Sequence, residues 1–297
     1  MIFDGRGRPE RPRARPEPAT WKDNAITGSC LGHSTVWLNF LGVRVLTDPV
    51  FSRRAGPGFS PFILGPKRYL EPALSIRDVG TPDVIVLSHA HFDHFDRASL
   101  RKFSRDTPVI TAKATRDLLR RFRVVHEIGW GEAVTLSIHG RAFRCEAIPV
   151  AHWGARVMRD THRGYNGYVM ERDGRAICFA GDTAYTNSFA ALRERAIPLD
   201  LAIMPIGAYD PWIRAHCTPE EAVAMAGHAG ADYFVPVHHQ TFKLSNEPMD
   251  EPARRLQARF AREPHRLLAL HVGETFHVPL ESRTAGVNAR WQSGVSA

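Results

Sequence analysis

The most constraining feature of this chain is the segment His89-Ala90-His91-Phe92-Asp93-His94, which follows the apolar run Val84-Ile85-Val86-Leu87 with only Ser88 between them. A short aliphatic run behind Pro82 reads as a strand buried on both faces, so the three imidazoles and the carboxylate fall on the loop at its end. Without a cation, clustered histidines gain little from proximity and repel one another on protonation. Neutral imidazole and ionised carboxylate are the nitrogen and oxygen ligands of zinc, and a strand-end loop lets alternate side chains converge on one point. Manganese and iron accept the same donors, with zinc the first choice.

Later polar residues repeat the placement. His152 follows Ile148-Pro149-Val150, Asp182 follows Phe179-Ala180-Gly181, and His238 follows Val235-Pro236-Val237. Ligand sites of α/β sheets lie at strand ends, so one shared metal centre accounts for all of them. The spacing predicts a hairpin over 34–40 and 43–46, a second over 168–172 and 175–180 around Asp173-Gly174, and strands over 143–150, 199–206 and 233–237. Helices are expected over 97–103, 115–122 and 250–262, and another behind Thr218-Pro219-Glu220-Glu221, which offers an N-cap, a first-turn proline and a capping-box glutamate. Terminal strands are expected over 267–278. The apolar stretch 51–66 reads either as a lid or as a loop packed on its own domain.

With 43% hydrophobic and 24% charged residues, the 297-residue chain has the composition of a soluble globular protein. It has no run of the roughly 18 apolar residues that a membrane span requires. The start, Met1-Ile2-Phe3-Asp4-Gly5, lacks a secretory apolar segment, so a cytoplasmic location is expected. The formal charge of +8 favours acidic partners and leaves room for peripheral contact with the inner membrane surface. Arg6, Arg8, Arg11, Arg13 and Arg15 alternate with Pro9, Pro12, Pro16 and Pro18. Residues 1–19 are therefore expected to form a disordered arm without sequence-specific nucleic-acid binding, ahead of one domain over 20–280 and a tail over 281–297. The four cysteines form no Cys-x-x-Cys pair, so neither a zinc knot nor a disulfide framework is suggested.

The pattern His-x-His-x-Asp-His at His89, His91, Asp93 and His94 resembles the signature of the metallo-β-lactamase superfamily. That resemblance implies an α/β (α+β) fold, the αββα four-layer sandwich of two mixed β-sheets flanked by helices. It also implies two zinc ions, one held by His89, His91 and His152, the other by Asp93, His94 and His238, with Asp182 bridging both. Because the second motif position is His91 and not glutamate, the oxygen-reducing diiron branch fits poorly and hydrolysis fits better.

A closer resemblance is to the N-acyl-phosphatidylethanolamine phospholipase D branch and its bacterial relatives. It rests on Leu31-Gly32-His33-Ser34-Thr35, Leu46-Thr47-Asp48-Pro49-Val50-Phe51-Ser52, Gly65-Pro66-Lys67-Arg68, Ala151-His152-Trp153 and His216 with Pro219-Glu220-Glu221. The segment Gly164-Tyr165-Asn166-Gly167-Tyr168 departs from that branch and is read as a candidate pocket wall. The resemblance implies a phosphodiesterase acting on a small-molecule or phospholipid substrate. The alternative is a lactonase for sugar-phosphate or acyl-homoserine lactones. A nucleic-acid-binding member is disfavoured, since nucleases of the superfamily carry an inserted domain for which this chain has little length.

In the expected mechanism a hydroxide held between the metals attacks the phosphoryl or carbonyl centre, with Asp93, Asp182 and His216 as catalytic groups. His216 and Arg156 are expected to meet the developing negative charge, although Arg156 reads equally well as a surface residue. His33, Asp48 and Asp96 read either as groups orienting ligands or as ordinary structural hydrogen-bond partners.

Overall fold

A computed structural model describes residues 8–59 and 62–280. Residues 1–7 of the expected arm and the whole expected tail lie outside the described residues. In the first half, β1 (Ile26–Gly32), β2 (Thr35–Phe40) and β3 (Val43–Thr47) form an antiparallel meander. A small finger follows, of β4 (Gly58–Phe59) and β5 (Phe62–Ile63), then the short helix α1 (Ile76–Val79), β6 (Val84–Leu87), the short helix α2 (Arg97–Leu100), β7 (Val109–Ala112) and β8 (Val125–Ile128). The second half holds β9 (Ala133–Ile138), β10 (Arg141–Ile148), β11 (Gly167–Arg172), β12 (Arg175–Phe179), β13 (Leu201–Pro205) and β14 (Tyr233–Val237), and β15 (Thr275–Val278) returns to the first half.

Two mixed sheets result, one in the order β15-β1-β2-β3-β6-β7-β8 and the other β14-β13-β12-β11-β10-β9. They face each other across an apolar core that includes Leu38, Phe40 and Ile85 from the first and Phe143, Tyr168 and Ile203 from the second. A second cluster lies on the outer face of the second sheet, where Val223 and Met225 of the helix α3 (Pro219–His228) and Leu256 of the helix α4 (Glu251–Arg259) pack with Val169 and Met204. This is the layered α/β sandwich that the motif implies. Among the described residues, no helix is long and apolar enough to cross a membrane.

Local chemistry explains most elements. Asp173 and Gly174 both take positive φ (48° and 73°), the two-residue turn that the β11–β12 hairpin requires. Thr218 and Glu221 form the expected reciprocal capping box at α3. Two expected helices are shorter than their periodicity: over 97–103 the α-helix is only Arg97–Leu100, and over 115–122 only a 3-10 turn, Arg116–Leu119, forms. The apolar residues there still reach the core, Leu100 and Leu119 from the ends of these short helices and Phe103 and Phe122 from the residues just beyond them. Terminal strand structure is confined to β15. The base of the 51–66 loop is anchored, with Val50 and Ala55 packed on Phe242, while Phe62 and Leu64 are exposed.

From residue 8 the Arg/Pro-rich stretch of the expected 1–19 arm makes contacts with the domain. Glu10 donates its N–H to Tyr69 O and accepts from Glu71 N–H, both at 2.7 Å, Arg15 pairs with Asp78, and Pro16 is buried. An extended, proline-spaced segment forms no core of its own, but its remaining N–H and C=O groups can pair with a neighbouring strand-like stretch. Deleting residues 1–19 is therefore expected to lower the melting temperature by roughly 4–8 °C, equivalent to about 2 kcal/mol from two backbone bonds. An unchanged thermal transition in the truncated protein would show the segment to be energetically idle.

Candidate metal centre

The polar residues at the strand ends converge on one edge of the sandwich. His89, His91, Asp93 and His94 follow β6 of the first sheet, and His152, Asp182 and His238 follow β10, β12 and β14 of the second. Hydrogen bonds on the outer nitrogens decide which ring atoms face inward. His152 Nδ1 lies 2.9 Å from Ala215 O and donates to it. His89 Nδ1 is 2.9 Å from Ser88 Oγ, which donates to Asp48 Oδ2 at 2.6 Å. The Nε2 atoms of His89 and His152 therefore present lone pairs to His91 Nδ1, at 2.8 and 3.2 Å. Burial pushes all three imidazoles below their usual pKa, His152 down to about 3. His91 has one ring proton to place, so at least one inward lone pair has no hydrogen to accept, and a shared cation satisfies all three.

A second set lies beside it. Asp93 Oδ2 is 3.7 Å from His94 Nε2 and 3.5 Å from His238 Nε2, and Asp182 Oδ2 lies 3.0 and 3.1 Å from the same two atoms. Among the described residues neither His94 Nε2 nor His238 Nε2, nor Asp182 Oδ1, has a hydrogen-bond partner, although all are buried. Burial opposes the charged form of His238, yet Asp182 and Asp93 outweigh it and hold its pKa at about 9. His94 is raised for the same reasons. Orphaned inward nitrogens facing two carboxylates are the donor set of a divalent metal, which replaces those protons on binding. Among the described residues, four ligand sets have donor atoms within 4.8 Å of one another, and Asp182 belongs to two of them.

Further polar groups surround these donors. Asp48 accepts from His94 Nδ1 at 2.7 Å and from the Ser88 N–H at 2.7 Å, so it fixes the ring whose Nε2 faces Asp182. His33 Nε2 donates to Asp93 Oδ2 at 2.9 Å, and His33 O accepts the His238 N–H. His33, Asp48 and His238 all have left-handed backbone (φ 56°, 32° and 61°), a conformation that non-glycine residues keep only where surrounding contacts enforce it. His216, from the loop before α3, stacks beside His238 with its Nδ1 3.8 Å from Asp182, and burial lowers its pKa to about 4.

Three expectations change. Arg156 does not reach toward the centre: its guanidinium lies over the Phe92 ring at 3.9 Å and donates to Ala90 O and Phe95 O, both at 2.8 Å. It clamps the histidine loop instead. Asp96 orients no ligand; it caps Arg97–Leu100 and accepts from Ser52 N–H and Ser99 Oγ, holding the loop after β3 against that helix. Asn166 lines no pocket, because it is buried and bonded to Ile128 O and Ser88 O. Sequence reasoning missed Ser88, which relays His89 to Asp48. A serine at a strand end carries no distinguishing signal.

Comparison with known proteins agrees with this geometry. The sequence profile described as "Beta-lactamase superfamily domain" matches residues 43–239. The chain is 29% identical to N-acyl-phosphatidylethanolamine-hydrolyzing phospholipase D 1 of Caenorhabditis elegans, over 85% of this chain and 76% of that one. It is 32% identical to the mitochondrial N-acyl-phosphatidylethanolamine-hydrolyzing phospholipase D of Saccharomyces cerevisiae, over 78% of this chain and 51% of that one. A metallo hydrolase from Ignicoccus hospitalis shares the fold with a TM-score of 0.65 at 19% identity, covering 86% of this chain and 100% of its own. The matched profile spans the histidine motif, Asp182 and His238, and the chain accordingly belongs to the metallo-β-lactamase superfamily, as a metal-dependent hydrolase.

Proposed function

We propose that the enzyme hydrolyses a phosphodiester bond of a glycerophospholipid, using two zinc ions that share Asp182. The observation that carries the lipid reading is the apolar rim beside the ligands. Trp153 packs its ring on His91 and His152 at 4.9 and 4.5 Å, yet stays 46% exposed. Trp212 and Ile213, in the turn that leads to His216, are about half exposed as well. An aromatic wall at the mouth of a polar centre suits a substrate with an acyl body and a charged linkage. The two relatives named as phospholipases D support the same linkage.

In this reading His89, His91 and His152 hold one ion, Asp93, His94 and His238 the other. Bound there, zinc supplies Lewis acidity and a water acidified toward a pKa of ~7. The chain's own residues do the rest. Asp48, Ser88, His33 and the Ala215 carbonyl fix the ring faces of the ligands, so that little reorganisation accompanies the reaction. His216 is neutral at physiological pH and offers its single N–H to charge developing on the phosphoryl oxygens. Trp153 excludes water from the His91–His152 side.

The test is a substrate panel on zinc-loaded enzyme: an N-acylated phosphatidylethanolamine, a chromogenic phosphodiester, an acyl-homoserine lactone and a phosphorylated sugar lactone. The lipid is expected to have a kcat/KM at least about tenfold above either lactone, some 1.4 kcal/mol of transition-state preference. Lactones ahead by that margin would replace the phospholipase reading with the lactonase one and leave the ligand sets unchanged.

A further inference from the structure

A second cavity, of about 1080 Å³, opens on the helix-bearing outer side of the first sheet, and no residue of the metal centre lines it. Arg8, Arg53, Arg68, Arg77 and Lys102 surround it, against one carboxylate, Glu71. Arg8, Arg53, Arg77 and Lys102 form no ion pair among the described residues. Arg68 differs from these four, being only 3% exposed. Its Nη2 donates to Val50 O at 3.0 Å, and its guanidinium lies 5.3 Å from the Phe242 ring. Its Nε and Nη1 are buried with no hydrogen-bond partner among the described residues.

A buried guanidinium with unused donors is costly unless an anion meets it, and five cations around one cavity repel one another in the absence of counter-charge. Among the described residues Arg68 forms no hydrogen bond or ion pair with a candidate ligand; Phe242 packs on both Arg68 and His33, and His33 in turn on Asp93. Phe51, Leu74 and Ile76 give the same wall an apolar part. A bare inorganic ion would leave that surface unused, whereas a phosphorylated organic molecule engages both halves.

We propose that this cavity is a second ligand site, for an organic phosphate whose anionic head lies on Arg68, Arg53 and Arg77 and whose body lies on Phe51, Leu74 and Ile76. Arg8 places the docked N-terminal stretch in its wall, which gives that stretch a purpose beyond stability. The site does not depend on the reaction proposed above. The same head group occurs in a soluble phosphate ester and in an anionic phospholipid, and the two are separable by experiment.

Full-length, metal-loaded protein would be titrated calorimetrically with glycerol 3-phosphate and, separately, sedimented with phosphatidylglycerol-containing phosphatidylcholine vesicles. Because the altered residues are exposed, the double variant Arg53→Glu/Arg77→Glu is expected to keep its melting temperature and metal content. It should weaken at least one of the two probes by about tenfold or more, as expected for like charge placed against an anion. Arg262→Glu, just beyond α4 on the other sheet's side, should weaken neither by more than about twofold, since screening confines exposed charges to roughly a Debye length. Loss confined to glycerol 3-phosphate identifies a soluble ester; loss confined to vesicles identifies a lipid head group. Wild-type binding of both probes by the double variant would overturn the proposal, as would an equal loss in Arg262→Glu.

Discussion

Asp182→Ala is expected to reduce kcat/KM by about 10³-fold or more, some 4 kcal/mol of transition-state stabilisation. It is also expected to bring bound zinc from about two ions per chain to below one. Asp182 Oδ2 stands among five imidazoles, from His94 at 3.0 Å and His238 at 3.1 Å to His152 and His216 at 3.8 Å and His89 at 4.0 Å. Removing it takes away the carboxylate nearest the inward nitrogens of His94 and His238 and leaves Asp93, at 3.7 and 3.5 Å, as the carboxylate facing them. Elemental analysis alongside turnover gives the answer. Near-normal activity in the variant, or a stoichiometry of one in fully active wild-type enzyme, would end the shared-ligand reading.

A comparable loss, of about 10- to 100-fold in metal affinity, is expected for Asp48→Asn, although Asp48 is not placed to bind metal. The carboxylate receives three donors: Ser88 N–H, Ser88 Oγ–H and His94 Nδ1–H. An amide has the same shape but a single acceptor oxygen, and its NH₂ adds donors where only donors already point. The released His94 ring can then rotate its Nε2 away from Asp182. A positioning role predicts that excess zinc restores most of the turnover, with the metal-loaded protein melting near the wild-type temperature. Lost turnover that no zinc concentration recovers would mean that Asp48 takes part in the reaction itself.

Much of the site was legible because its residues stand directly after apolar strands, and a strand followed by an unneeded histidine or aspartate is visible without any structure. The hairpin at Asp173-Gly174 and the cap at Thr218 were legible for the same reason, since each is a local rule satisfied by adjacent residues. What escaped was set at long range. β1 reads Ile-Thr-Gly-Ser-Cys-Leu-Gly, without alternation, because all seven residues are buried and polar Thr27 and Ser29 sit inside with them. Gly28 is required there by Phe276 of β15, whose Cζ would stand 2.5 Å from a Cβ at that position, a contact 248 residues away in sequence. Arg156 was misplaced because proximity to His152 in sequence says nothing about direction. Only the folded chain shows that Ala90 O and Phe95 O need its donors.

The candidate ligands come from both sheets, His89 to His94 from one and His152, Asp182 and His238 from the other, so an ion bound at this edge acts as a clasp between them. A clasp that exists only when loaded makes stability a function of supply. By mass action, free metal at about 100 times its dissociation constant adds roughly 2.7 kcal/mol to the folded state, and that contribution fades as the metal is withdrawn. In a cell short of metal the protein would therefore lose lifetime along with turnover, and its abundance would report on the metal ration of the compartment that houses it.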